Sequence, residues 1–306
     1  MKRIFTVVLV SLITAIIFNI LIDPLSFFNN IIATLEVWLY KVYPSIFTFY
    51  IIAALLVNTN IINRFVYYCR FFFRKLKFRN ENCLNLFLIS IFTGNPASAS
   101  LIGEAFHNQK ITLTEANQLL KTSSFLNPLF ILSYLAVFNI KYATIMIFVH
   151  IAANFIVTVY ENRNNNPTAI EKRPINFALS DFFSSLNRAV GILLMISAVM
   201  VVAGIINYSV TNILKLYGDI PIAIRVLLAN IEISIGLNNI LSLQLPLPST
   251  LLLFAFLTGF SGLSIHFQVY NIISKYKMNF FLFFKYRILH GIISIILLIP
   301  FLLLNK

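Results

Sequence analysis

Apolar residues run in long unbroken stretches along this chain, without the alternation of a half-buried strand or the single stripe of a soluble helix. Five windows, 4–22, 42–63, 142–160, 189–214 and 288–305, contain no Asp, Glu, Lys or Arg. Each is long enough to cross the ~30 Å apolar layer of a bilayer, which takes roughly 20 helical residues. Backbone groups in lipid must be satisfied within their own segment, and continuous runs select helices over a barrel. The pattern predicts an all-α, polytopic integral membrane protein.

Between the long runs lie shorter, interrupted ones. The segment 84–107 opens with LNLFLISIF, too short to span, breaks at TGNPASAS (93–100) and resumes as a second short run. Half-helix, turn and half-helix is the layout of a re-entrant hairpin or discontinuous helix. TLTEANQLLKTSS (112–124) follows, with Thr112 or Thr114 as helix cap and Glu115 in the first turn. NPLFILSYLAVF (127–138) begins with Asn-Pro at a helix start and is again short. A full helix, 141–160, leads into the polar loop ENRNNNPTAIEKRP.

The second half repeats the plan. DFFSSLNRAV leads into a helix at 189–214, then come an apolar segment with Arg225 and Glu232, LSLQLPLPST, LLLFAFLTGFSGLSIHFQV, and a last helix at 280–304. Thr93-Gly94-Asn95-Pro96 and Thr258-Gly259-Phe260-Ser261, 165 residues apart, each end one short run and begin another. The chain thus divides into an N-terminal helix (1–30), a first repeat (31–160), a linker (161–175) and a second repeat (176–306).

Composition and charge orient this layout. The chain has 306 residues, 59% hydrophobic and 11% charged, where soluble domains carry roughly 25% charged residues. The net charge is +13, concentrated at Arg64, Arg70, Arg74, Lys75, Lys77 and Arg79 among Phe and Tyr. Basic and aromatic residues beside an apolar run suit anionic lipid headgroups rather than nucleic acid. Because Lys and Arg collect on the cytoplasmic side, residues 1–3, 64–79 and 161–175 are placed inside. The helix before the first interruption then runs inward and the one before the second outward, which makes the halves an inverted repeat. Met1-Lys2-Arg3 and the first apolar run are laid out like a signal peptide without a small-x-small cleavage site, and read as a retained helix.

A helix broken within lipid exposes main-chain N–H and C=O groups to a solute. Gly94, Asn95 and Pro96 form the first candidate binding turn, with Ser98, Ser100 and Asn127 beside it; Ala97 and Ala99 read as packing. Gly259, Ser261, Gly262 and Ser264 form the second, followed by His266 and Gln268, which are expected to line the same cavity as Asn95. Glu232 is an intramembrane acid, facing the cavity or paired with Arg225 seven residues earlier. Lys285, Arg287 and His290 are expected to reach the interface from the last helix, and His150 to be satisfied by a neighbour. Cys69 and Cys83 lack metal-ligand spacing. No nucleophile elbow or phosphate-binding glycine loop is present. The expectation is a carrier without catalysis or cofactor, driven by a proton or sodium ion, with homo-oligomerisation left open.

Six stretches, Trp38 with YPSIFTF (43–49), TGNPASA (93–99), NPLFI (127–131), EISIG (232–236), GFSGLSIHFQ (259–268) and RILHG (287–291), resemble the YlbJ-type sporulation integral membrane proteins. The halves of that family carry the nucleoside-recognition or Gate module shared with concentrative nucleoside transporters. The resemblance covers roughly 31–300. It implies a bacterial cytoplasmic-membrane protein, in a spore-former the mother-cell-derived forespore membrane, that moves a small organic anion such as dipicolinate. A nucleoside carrier and a non-transporting sporulation assembly factor are the alternatives. Where the family pattern reads Ser-Gly-Tyr-Pro-x-Gly-Ala-Lys, this chain has Asn95 for the tyrosine, Ser98 for the second glycine and Ser100 for the lysine.

Overall fold

The computed structural model describes residues 2–136 and 139–304, so Met1 and the last two residues of the predicted 127–138 run lie outside the described residues. The described residues form helices and connections with no strand among them. α1 (Lys2–Ile22) ends at Asp23, whose side chain accepts the Ser26 N–H at 3.0 Å and caps α2 (Pro24–Val37). Hydrogen bonds from the Ser26 side chain and backbone hold the Asp23 carboxyl below the usual carboxylate range. The cap is therefore intact at neutral pH and is lost as pH falls through that lowered value.

α2 continues through a π turn at Trp38–Val42 into α3 (Tyr43–Asn58). The helix that contains the start of the apolar window 42–63 thus begins as early as Pro24, since Asp23-Pro24 is both turn and cap. The basic stretch runs from α4 (Ile61–Tyr68) through α5 (Arg70–Phe73) and the 3-10 turn Arg74–Leu76, with Phe65, Tyr68, Phe71 and Phe72 exposed.

α6 (Glu81–Thr93) and α7 (Ala97–His107) form a helical hairpin. Its feet are joined, because the Asn80 and Asn82 amides both donate to the Lys110 carbonyl at 3.1 and 2.9 Å. α8 (Leu113–Thr122) starts with a reciprocal Thr112–Glu115 capping box, so Thr112 and not Thr114 is the cap. The backbone unwinds over 123–127 before α9 (Pro128–Leu135), and α10 (Ile140–Asn162) closes the first half.

The linker is sewn to the basic stretch. Thr168 N–H donates to Phe78 O at 2.9 Å, Lys77 Nζ to Arg163 O at 2.9 Å, and Asn176 N–H to Thr59 O at 3.2 Å. Arg173 pairs with Glu81 at 3.2 Å. Residues around 80 and 165 therefore lie on one side of the protein, as the charge pattern requires.

In the second half, the amphipathic lead and the expected helix fuse into α11 (Leu179–Lys215). α12 (Ile222–Ala229), α13 (Ile233–Ser242), α14 (Leu247–Phe260), α15 (Gly262–Ile273) and α16 (Phe280–Leu303) follow. Among the described residues, five helical stretches are long and apolar enough to cross a membrane. The α14–α15 stretch is the central one: 72% of its most apolar window is buried in the protein, against 33% for α2–α3 and 28% for α16. Val7, Val8, Ile17 and Leu21 of α1 and Ile292, Ile296 and Ile299 of α16 point outward, as lipid-facing residues do.

α14 and α16 meet backbone to backbone. A Cβ on Gly259 would lie 2.6 Å from Gly291 Cα, and one on Gly291 would lie 2.9 Å from the Phe256 ring. Small residues at such a crossing let helices approach in lipid, where dispersion replaces the hydrophobic drive. Gly259→Val is expected to force the pair apart and cost about 1–3 kcal/mol, read as a lower thermal midpoint of the purified protein. Gly259 is thus a packing residue rather than a wall of the candidate site.

Candidate functional site

The first break is built from two segments that hold each other. α6 ends at Gly94, whose φ of 64° and ψ of 176° suit glycine alone. A Cβ there would lie 2.4 Å from Asn127 N. Asn95 N–H donates to Phe125 O at 2.7 Å, and the Asn127 amide donates to Phe92 O at 2.8 Å. Asn127 Oδ1 also caps α9 by accepting the Leu129 N–H at 2.8 Å. Ser98 Oγ donates to Asn95 Oδ1 at 2.7 Å, which leaves Asn95 Nδ2 buried without a protein partner. Such an atom normally has a water or ligand partner.

The second half contains a similar knot. Glu232 caps α13: one carboxylate oxygen accepts the Ile235 N–H at 2.7 Å, and Ser264 Oγ approaches the other at 3.5 Å. Leu263 N–H donates to Asn230 O at 2.7 Å and Ser264 N–H to Ile231 O at 2.9 Å. The chain makes room for this at Ser261 and Gly262, both with positive φ (76° and 67°), where α14 gives way to α15.

The two knots face one hollow. Asn95, Asn127, Glu232, Ser234 and Gln268 supply its polar wall, and Pro96, Val42, Ile46, Phe130, Ile196, Met200 and Ile265 its apolar wall. α7, α9 and α13 all begin there, so three partially positive helix ends converge on a space that also holds one carboxylate. The open space is about 30 Å³. That admits a water or two, each needing roughly 10–15 Å³, while a small-molecule site spans roughly 300–1,000 Å³. The site is therefore too small for an organic solute in this conformation.

Of the residues expected from sequence, Asn95, Pro96, Asn127, Glu232 and Gln268 line the hollow. Gly94, Ser98, Ser261, Gly262 and Ser264 shape it from behind, and Ser100 does not line it. His266 is a correction. Its ring packs on Phe260 at 4.5 Å and Phe283 at 5.1 Å, with Nδ1 2.6 Å from Gly262 O. At 100° per residue, His266 and Gln268 lie about 200° apart on α15, so only one can face the hollow. Arg225 does not pair with Glu232 either: its Nε donates to Ile220 O at 2.9 Å, because α12 ends at Ala229 and the two residues share no helix face.

Sequence reading missed a buried polar core behind the first knot. Arg287 and His290, expected at the interface, are fully buried, and His290 stacks on His150 with ring centroids 4.6 Å apart. The signal was available. Phe283, Arg287, His290, Ser294 and Leu298 share one buried face of α16 at helical spacing, and that face packs on α8 and α10. Glu104, the acid just beyond the first break, pairs with Arg188 of α11 at 2.5 Å.

No protein-family profile matches the chain, and no solved structure matches it. A curated bacterial protein does, the sporulation integral membrane protein YlbJ of Bacillus subtilis (strain 168), at 24% identity over 340 aligned positions. The alignment covers 95% of this chain and 81% of that protein. The chain resembles a YlbJ-type protein along nearly its whole length. Together with the five apolar helices, that likeness makes the chain a multi-pass protein of the cell membrane.

Proposed function

We propose that this protein carries a small organic anion across a bacterial membrane during sporulation, without catalysis. The observation that supports the reading most is the convergence of three helix starts, the unpartnered Asn95 amide, Asn127, Gln268 and the Glu232 carboxylate on one small hollow. Helix starts attract anions, and they stand in for the lysine that Ser100 replaces. An anionic guest beside Glu232 avoids like-charge repulsion when a proton enters with it, so a proton is the driving ion of this reading.

Element order supports an inverted repeat of re-entrant and discontinuous helices. A broken hairpin (α6–α7), a broken span (α8–α9) and a whole span (α10) are followed, after α11, by α12–α13, α14–α15 and α16 in the same sequence. The first set starts beside the basic stretch; the second starts after α11 has crossed away from it. In this reading the break at 94–96 corresponds to 230–232, and the unwound 123–127 to Ser261. The Thr93 and Thr258 strings are then not counterparts.

The test is uptake into liposomes containing the purified protein, with dipicolinate, nucleosides and related anions, with and without a pH or sodium gradient. Accumulation of an anion driven by inward protons is expected. Nucleoside uptake alone would favour a nucleoside carrier, and no uptake of any solute would favour an assembly factor. The exposed Arg70 and Arg74 beside Tyr68 and Phe71 form a headgroup surface in the same reading. Reversing both charges is expected to weaken binding to anionic vesicles by about 1 kcal/mol or more per residue, while uptake stays near the wild-type rate.

A further inference from the structure

Where α8 ends, its last carbonyls lose their helical partners, and this negative end of a helix dipole is buried. The group that answers it is a side chain. Arg287 Nη1 donates to the Ser124 carbonyl, and also lies 2.6 Å from His290 Nδ1. Nη2 donates to Asn154 Oδ1 at 3.3 Å, and Asn154 Nδ2 donates to the same Ser124 carbonyl at 3.2 Å.

The hydrogen bonds also fix the charges. A backbone N–H and a guanidinium can only donate. His150 Nε2, which takes the Leu126 N–H at 2.8 Å, and His290 Nδ1, which takes the Arg287 N–H, therefore carry no proton. His290 Nε2 donates to His150 O at 3.0 Å. Both rings are neutral, and Arg287 is the cation of the cluster. Among the described residues no carboxylate pairs with it; the acids in ion pairs are Glu161, Glu81 and Glu104, each with another partner. A lone buried charge is strongly unfavourable unless oriented dipoles face it; the Ser124 carbonyl, Asn154 Oδ1 and His290 Nδ1 supply them to the two terminal nitrogens, and Nε has no protein partner.

We propose that Arg287 is a resident cation. Its guanidinium takes the freed Ser124 carbonyl and the Asn154 amide oxygen at the α8–α9 break, the kind of place where broken-helix membrane proteins hold a dissolved metal cation, and so removes any need for sodium there. The inference goes beyond the carrier reading and stands on the fold alone. Its test reads stability, so its failure is separate from a failure to transport.

The experiment compares the thermal midpoint of the full-length protein in detergent, in sodium, potassium and choline chloride at equal ionic strength, for wild type, Arg287→Lys and Arg287→Met. Wild type and Arg287→Lys, which keeps the charge, are expected to unfold at the same temperature in every salt. Arg287→Met is expected to fall by about 5 °C or more in choline and to recover saturably as sodium or potassium takes the place of the guanidinium. A saturable sodium-specific rise in wild type overturns the proposal, whatever becomes of the variant. So does an Arg287→Met protein equally stable in all three salts. Recovery of that variant only from cells and buffers rich in sodium or potassium supports it, and failure to recover it under any cation overturns it.

Discussion

Gly94→Ala is expected to cost the fold about 3–5 kcal/mol, combining a glycine-only backbone conformation with a steric collision. The new methyl would sit 2.4 Å from Asn127 N and 3.0 Å from Leu126 C, backbone atoms that cannot rotate away as a side chain could. Relief would require parting α6 from the unwound 123–127 segment. That motion breaks the Asn95–Phe125 and Asn127–Phe92 hydrogen bonds and leaves buried polar groups unmatched. The measurement is the yield of monodisperse protein and its thermal midpoint in detergent. Gly191→Ala is the matched control: it lies within α11 with no atom within 4 Å of the added carbon, and should be neutral or stabilising by up to about 1 kcal/mol. A Gly94→Ala protein as stable as the control would mean that the first knot is looser than its geometry implies.

The second large effect is on transport. Glu232→Gln keeps an oxygen able to cap α13, so insertion and stability should stay close to wild type, while the ionisable group at the hollow is gone. Accumulation driven by a pH gradient is expected to fall tenfold or more, a loss of about 1.4 kcal/mol or greater. Gln268→Ala, which removes a wall residue and no charge, should weaken solute affinity and leave the dependence on the gradient in place. Unchanged gradient-driven uptake by Glu232→Gln would take this carboxylate out of the mechanism.

Most of the fold was legible because lipid imposes strict rules on runs of residues. α10 and α16 lie within two residues of the helices expected at 141–160 and 280–304, and α11 extends further only because its amphipathic lead is helical too. Thr93-Gly94-Asn95-Pro96 announced a break through residue chemistry alone. The break at 230–232 did not, since Asn230-Ile231-Glu232 contains no glycine or proline and the turn is held by Leu263 and Ser264, thirty residues on. Glu232 was picked out for its charge in an apolar stretch, and its role as a helix cap could be seen only once that turn was known. Arg287 was misplaced for a related reason. A basic residue seven positions into a helix reads as interfacial, unless one asks which face also carries His290 and Ser294. Contacts between distant segments decided each of these, and local pattern does not encode them.

The two amides that clasp Lys110 give the α6–α7 hairpin a fixed base, whereas its far end at Asn95 is held chiefly by the knot with residues 125–127. If the hollow opens, the base tied at Lys110 makes the tip the end that would have to part from residues 125–127. Admission of anything larger than water would then be governed by how often one small clasp lets go, and agents that bridge α7 to α9 near Asn95 should arrest the protein in this posture.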